Sequence, residues 1–313
     1  MALTIGVDVG GTKIAAGVVD ENGTIVEMAR RDSPATDADA MVTAIADAVD
    51  ALAREYDVAA VGVGAAGFVD AARATVLISP NLAWRDEPLR EHLEKRTGLR
   101  VVVENDANAA AWGEFQFGAG HDVDDLLLVT LGTGVGGGMV LGGELYRGAF
   151  GVAAEIGHLR VVPDGRPCGC GVRGCWEQYA SGSALVRAVH EEARAGSPEA
   201  ASLLERAGGD VDDITGQMVT EAAREGDAFA QAKVDELGRW VGEGIATLAA
   251  VLDPATVALG GGVADAGDLL IVPALEAYRR TLTGRGYRPE LQIRRAQLGN
   301  RAGLVGAADL ARR

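Results

Sequence analysis

Two stretches of this chain are built to one plan. "TIGVDVGGTKIAAGVV", from Thr4, and "LLVTLGTGVGGGMVLGG", from Leu127, each run an apolar strand through a small polar residue into a glycine turn carrying a threonine, then into a second strand. A plan repeated about 120 residues apart predicts two similar halves facing each other. The glycines let the backbone approach a ligand closely and present successive N–H groups as an anion-binding nest, while Thr12 and Thr133 add hydroxyl donors. Taken singly, either stretch reads as an ordinary tight hairpin. Taken together, with Asp8 ending the first strand, they read as two sides of a polyphosphate site: Gly10, Gly11, Thr12 and Lys13 on one, Thr133 and Gly134 on the other. Lys13 suits phosphate neutralisation and an exposed place on the second strand equally well. Neither stretch is a Walker A sequence or a dinucleotide-binding G-x-G-x-x-G. A third glycine turn, "LGGGVAD" at 259–265, adds Gly261 and Gly262 as nucleotide-binding candidates.

Short apolar strands alternate with Ala-rich helical stretches along the rest of the chain, the α/β signature. An opening meander of three strands predicts antiparallel hairpins. A helix is expected from about Ala38 to Glu55, a strand over "VAAVGVGAAG", a helix from about Glu87 to Thr97, and a strand "LRVVVEN" running into a helix that Asn105 or Asp106 caps. Residues 183–252 read mostly as helices. With 313 residues, 48% hydrophobic but only 4% aromatic, the chain can fill two medium cores from small aliphatic side chains. Its formal charge of −16 repels polyanions, so neither nucleic acid nor an anionic membrane is an expected partner. Apolar runs are too short to span a bilayer, and "MALTIGVDVGG" lacks the charged start and cleavage site of a secretory signal, which predicts a soluble, cytoplasmic protein. Three cysteines, an odd number, in a reducing compartment argue against a disulfide framework and toward metal or catalysis.

"DVGGTK", "ENDANAAAWGE", "GTGVGGGMVLGGELYRGAFGVAAEIGH", "CGCGVRGCWE" and the closing "AGLVGAADLA" together resemble the ROK family of sugar kinases and sugar-responsive repressors, over essentially the whole chain. The resemblance implies a two-domain α/β architecture, the actin-like ATPase (ribonuclease H-like) fold, with a cleft between the domains. It suggests a small domain over 1–108, with a C-terminal helix of about 300–313 packed on it, and a large domain over 109–299. Within the family, the likeness is strongest to bacterial kinases that phosphorylate glucose with ATP.

All three cysteines lie in "EIGHLRVVPDGRPCGCGVRGCWE", positions 155–177, with a histidine upstream. His158, Cys168, Cys170 and Cys175 supply one imidazole and three thiolates, a soft four-ligand set suited to tetrahedral zinc, and the resemblance implies the same site. Four protein ligands leave no position for water, so the Zn2+ is expected to be structural. Fixing this loop fixes Glu155 and Glu177 beside it. The resemblance assigns Glu155, His158 and Glu177 to the sugar site along with Asn105 and Asp106, and Gly67 and Asn81 join that set. His158 can bind the metal through one ring nitrogen and offer the other to a hydroxyl.

Asp106 stands where a strand ends and a helix begins, the edge at which open α/β sheets place ligands. A hydroxymethyl oxygen is a poor nucleophile until a carboxylate accepts its proton, and ROK kinases place their base at this position of the "ENDAN" element. Phosphoryl transfer otherwise needs alignment and charge neutralisation, which points Asp8 toward a hydrated Mg2+. The expected reaction is transfer of the γ-phosphoryl of ATP to the 6-hydroxyl of glucose, by a homo-oligomer (dimer or tetramer). Three alternatives stand beside it. A ROK kinase of fructose, mannose or N-acetylmannosamine would share these motifs, and polyphosphate could use the same nests as donor. A sugar-responsive regulator of the family would carry a helix-turn-helix ahead of the first phosphate turn, where only seven residues precede Asp8. An actin-like ATPase of structural or chaperone type would not need glutamates fixed by a metal.

Overall fold

The computed structural model describes residues 3–313. Its first sheet grows from β1 (Leu3–Val9), whose nearly unbroken burial marks a central strand. Antiparallel hairpins add β2 (Lys13–Val19) and β3 (Ile25–Asp32), and β3, carrying "EMARRD", is the exposed edge. Helix α1 (Ala38–Ala53) starts where the Asp37 carboxylate accepts the N–H of Ala40, and it returns the chain to β4 (Val58–Ala65), parallel to β1. Three short strands that the sequence reading did not anticipate, β5 (Phe68–Val69), β6 (Val76–Ile78) and β7 (Arg85–Glu87), form a small antiparallel sheet of their own. Two or three residues are too few for an alternating pattern to show. Helix α2 (Leu89–Thr97), β8 (Arg100–Asn105), parallel to β4, and α3 (Asp106–Phe117) follow. The order β3-β2-β1-β4-β8 sets the carboxyl ends of three parallel strands side by side, at Val9, Ala65 and Asn105.

The second glycine hairpin is β9 (Leu126–Leu131) and β10 (Val135–Leu141), followed by β11 (Glu144–Tyr146). After the short α4 (Glu177–Ala180), helices α5 (Gly182–Arg194), α6 (Ala201–Arg206), α7 (Gly216–Arg224) and α8 (Ala228–Leu252) fill the expected helical stretch. Then come β12 (Thr256–Gly260), α9 (Asp268–Thr281), β13 (Gln292–Arg295) and α10 (Ala302–Arg312), giving a second sheet in the order β11-β10-β9-β12-β13.

The chain divides into two compact units, Met1–Leu128 with Gly137–Ala154 and Ala296–Arg313, and Val129–Gly136 with Glu155–Arg295. The first unit thus keeps α3, where the sequence reading begins its second domain at residue 109. Close packing is the reason. Helix α10 lies directly on β1 and β4, where a Cβ at Gly6 would meet Leu304 O at 1.9 Å and one at Gly62 would meet Ala307 O at 1.8 Å. It crosses α3 as closely: a Cβ at Gly306 would meet Ala109 O at 1.8 Å. Among the described residues, no helix is long and apolar enough to cross a membrane.

Candidate active site

The end of β8 builds the first part of the site. Asn105 takes the extended conformation of a helix cap, and its Oδ1 accepts the N–H of Asn108 at 2.9 Å. The cap is therefore Asn105, which frees Asp106, the first helical residue, for another use. Asn105 Nδ2 donates to Gly67 O at 3.0 Å and to Asp106 Oδ1 at 3.1 Å, and Ala107 N donates to the same Oδ1 at 2.8 Å. Gly67 must be glycine: its φ is 142°, and a Cβ there would lie 2.4 Å from Ile78 O.

Asp8 faces the same region from β1. Its register partner on β4 is Gly64, and a Cβ at Gly303 of α10 would lie 3.5 Å from Asp8 Oδ1. A Cβ at Gly303 would also lie 3.8 Å from Asp106 O, and one at Gly64 3.7 Å from Asp106 Cα, so both glycines adjoin both aspartates. Burial first, and the Asp106 charge second, push Asp8 up to about 6. Burial raises Asp106 as well, against the hydrogen bonds from Ala107 and Asn105, which lower it. Two half-buried carboxyls side by side form a hard, anionic oxygen set of the kind that favours a divalent cation, so the residues fit Mg2+.

The turn before β2 is held from behind by Ser33, whose Oγ donates to Gly10 O at 2.7 Å and whose N–H donates to Thr12 O at 3.2 Å. Gly11, Thr12 and Lys13 are exposed. Asn81, placed by the sequence reading with the sugar, lies beside this turn: a Cβ at Gly11 would stand 3.8 Å from Asn81 Cβ.

The metal loop assembles in the second unit. The ligand atoms of His158, Cys168, Cys170 and Cys175 all lie within 4.8 Å of one another. Cys170 Sγ is 3.5 Å from Cys175 Sγ, and Cys168 Sγ is 3.7 Å from His158 Nδ1. A tetrahedral ion about 2.3 Å from each sulfur needs them about 3.8 Å apart, so the set fits zinc. Nδ1 is the imidazole nitrogen turned to the sulfurs. Nε2 lies on the side of Glu155, 4.0 Å from its Oε2. Glu177 stands across the ring, with Oε1 3.8 Å from Nδ1 and 2.9 Å from Cys168 Sγ. A Cβ at Gly134 would lie 2.7 Å from Glu177 Oε2, so the bare glycine turn makes room for this carboxylate. Trp176, not singled out from sequence, anchors the loop: it is fully buried, packs on Gly244 of α8 and donates from Nε1 to Trp240 O at 2.8 Å.

A cavity of about 770 Å³ opens in the same unit, lined by Thr133, Gly262 and the first turns of α5 and α7. Both helices begin alike, Ser181-Gly182-Ser183 and Thr215-Gly216-Gln217, with Ser181 and Thr215 as caps. Helix amino termini favour polar and anionic ligands, and Arg187, Arg194 and Arg224 add positive charge to the lining. The cavity has room for a nucleotide. Sequence reading found Thr133 and Gly262 but not Ser183, Arg187, Gln217 or Thr220; the repeated cap-glycine-polar start was the signal available. Gly261 sits behind the cavity, packed on Leu131.

A model of the ROK family matches residues 4–313. A glucokinase of Streptomyces coelicolor is 54% identical over 312 residues, spanning 100% of this chain and 98% of that protein. The crystal structure of a ROK family glucokinase from Streptomyces griseus, in complex with glucose and AMPPNP, shares 57% identity and a TM-score of 0.90 over 99% of each chain. A ROK hexokinase from Thermus thermophilus follows at 38% identity and a TM-score of 0.82, covering 99% of this chain and 98% of that one.

Proposed function

The chain belongs to the ROK family, and from that premise we propose that it is a glucokinase, moving the γ-phosphoryl group of ATP to the 6-hydroxyl of glucose. Its mixed α/β architecture is the actin-like ATPase fold. The observation that carries the reading is the likeness, over 99% of both chains, to a glucokinase solved with glucose and an ATP analogue.

Asp106 is the proposed base. Its Oδ1 already holds two hydrogen bonds, so Oδ2 is the oxygen assigned to the 6-hydroxyl proton. Asn105, Gly67, Asn81, Glu155, His158 Nε2 and Glu177 are assigned to the sugar on the family resemblance. Paired donors and acceptors reject a wrong hydroxyl because a buried polar group left unmatched costs about 1–3 kcal/mol. The nucleotide is assigned to Gly10, Gly11, Thr12 and Lys13, and to Thr133, Gly134, Gly261 and Gly262 with the α5–α7 cavity. Mg2+, near Asp8, would neutralise phosphate charge, and Zn2+ on His158, Cys168, Cys170 and Cys175 would give the loop its rigidity. We place the protein in the cytoplasm, where ATP and reduced thiols coexist, as a homo-oligomer. Exposed Tyr146 and Phe150 support the latter.

The test is a coupled assay of the purified protein with glucose, fructose, mannose and N-acetylmannosamine, each with ATP and with polyphosphate. Glucose with ATP should give the highest kcat/KM. A higher value for another hexose, or for polyphosphate, would replace the assignment.

A further inference from the structure

One carboxylate beside the site is too deeply buried to be incidental. Glu104, immediately before Asn105, is 1% exposed, a depth at which an unpaired charge is strongly unfavourable. It is not unpaired. Arg73 Nε donates to Glu104 Oε2 at 3.0 Å, and Arg147 Nε approaches the same oxygen to 2.7 Å. The other oxygen serves the base: Oε1 accepts the N–H of Asn105 at 2.9 Å and Nδ2 of Asn108 at 3.2 Å.

We infer that Glu104 is a positioning residue for the phosphoryl transfer, clamped by Arg73 and Arg147 so that its Oε1 fixes Asn105 and the first turn of α3, and with them the Asp106 carboxylate. The inference rests on the reading of Asp106 as the base.

The clamp extends past the ion pairs. Arg73 sits at φ 57°, a left-handed conformation unfavourable for a non-glycine residue, and its carbonyl accepts the N–H of Val103 on β8. Arg147 donates from Nη1 to Ala71 O at 3.0 Å and from Nη2 to Asp70 O at 2.9 Å. The turn over 70–73 is thereby tied to the strand that ends in Asn105. That turn follows Gly67, whose carbonyl accepts from Asn105. Two paths converge on Asn105, whose side chain donates to Asp106: Glu104 holds its backbone N–H, and Gly67 O holds its side-chain amide.

Glu104→Gln keeps the shape and one acceptor but removes the charge that holds both guanidiniums. A displacement of about 1 Å at a reacting group can cost about a hundredfold in rate. Rates are to be normalised to sites counted by glucose titration, so loss of folded protein does not enter. The expected result is a kcat about 10–100-fold lower, with the KM for ATP within about twofold of the parent. A purely stabilising role would lower the melting temperature and leave kcat per site unchanged. Should Glu104→Gln not fold, Arg73→Met, at a side chain 30% exposed, should lower kcat several-fold with the same constancy of KM. Parental kcat per site in Glu104→Gln, or in Arg73→Met if only that folds, overturns the inference. Asp106→Asn in the same assay separates the two readings. If it is inactive while Glu104→Gln is fully active, only the positioning role falls. If Asp106→Asn is itself active, the assignment of the base falls.

Discussion

At the scale of a single residue, Asp8 sits in a place that penalises its charge. A free aspartate titrates near 3.8, and burial beside Asp106 pushes Asp8 up to about 6 in the folded state. The folded protein therefore binds that proton more tightly than the unfolded chain does. Stability falls as pH rises from about 4 to about 6, and the full penalty stands above 6. Asp8→Asn removes the charge while keeping the shape. Its melting temperature should exceed the parent's by a few degrees at pH 8, with no gain at pH 4, and turnover with Mg-ATP should drop. An unchanged melting temperature at pH 8 would mean that burial and the neighbouring Asp106 charge do not penalise the Asp8 carboxylate. None of this was legible in the sequence beyond the role of Asp8 at a strand end. The two aspartates meet where Gly64 and Gly303 adjoin both, and Gly303 is almost three hundred residues away in the chain.

Among the elements, the metal loop is where sequence and structure agree most closely, because its chemistry is carried by residue types that are rare elsewhere in the chain. All four ligands come together, with Glu155 and Glu177 flanking the imidazole. If zinc sets the positions of those glutamates, Cys170→Ser should lose the metal and weaken glucose binding together, about tenfold or more, because metal binding and loop folding are linked. Elemental analysis beside glucose titration checks this, and a metal-free variant with parental glucose affinity would contradict it. The glycine hairpins and the α/β alternation were equally legible, since hydrophobic periodicity and turn residues are local signals. The small β5–β7 sheet was not. Its strands owe their existence to pairing with one another, and Gly67 and Arg73 there serve Asn105 and Glu104, which lie outside that sheet. The α5 and α7 starts lining the cavity proposed for the nucleotide went unread for a related reason: a helix cap looks the same in sequence whether or not its open N–H groups face a cavity.

For the molecule as a whole, helix α10 ties the two ends of the sequence together, packing on the first strand at Gly6 and on β4 at Gly62. The sequence reading already set this helix on the first domain but ended that domain at residue 108, inside α3, because the crossing at Gly306 that keeps α3 with α10 joins residues almost two hundred positions apart. That packing also presses the strand ends carrying Asp8 and Asn105 into one rigid frame, and it is on this frame that Asp106 is assigned the proton of the sugar hydroxyl. On the proposed reading, glucose binding draws on many residues, whereas turnover rests on this one acceptor. The most direct test is to measure kcat and the glucose Kd on Asp106→Asn, which keeps the hydrogen-bonding shape and loses the base. The account predicts a kcat lower by about 10²–10⁴ with a glucose Kd within about threefold of the parent. A variant retaining more than about a tenth of the parental kcat would contradict it.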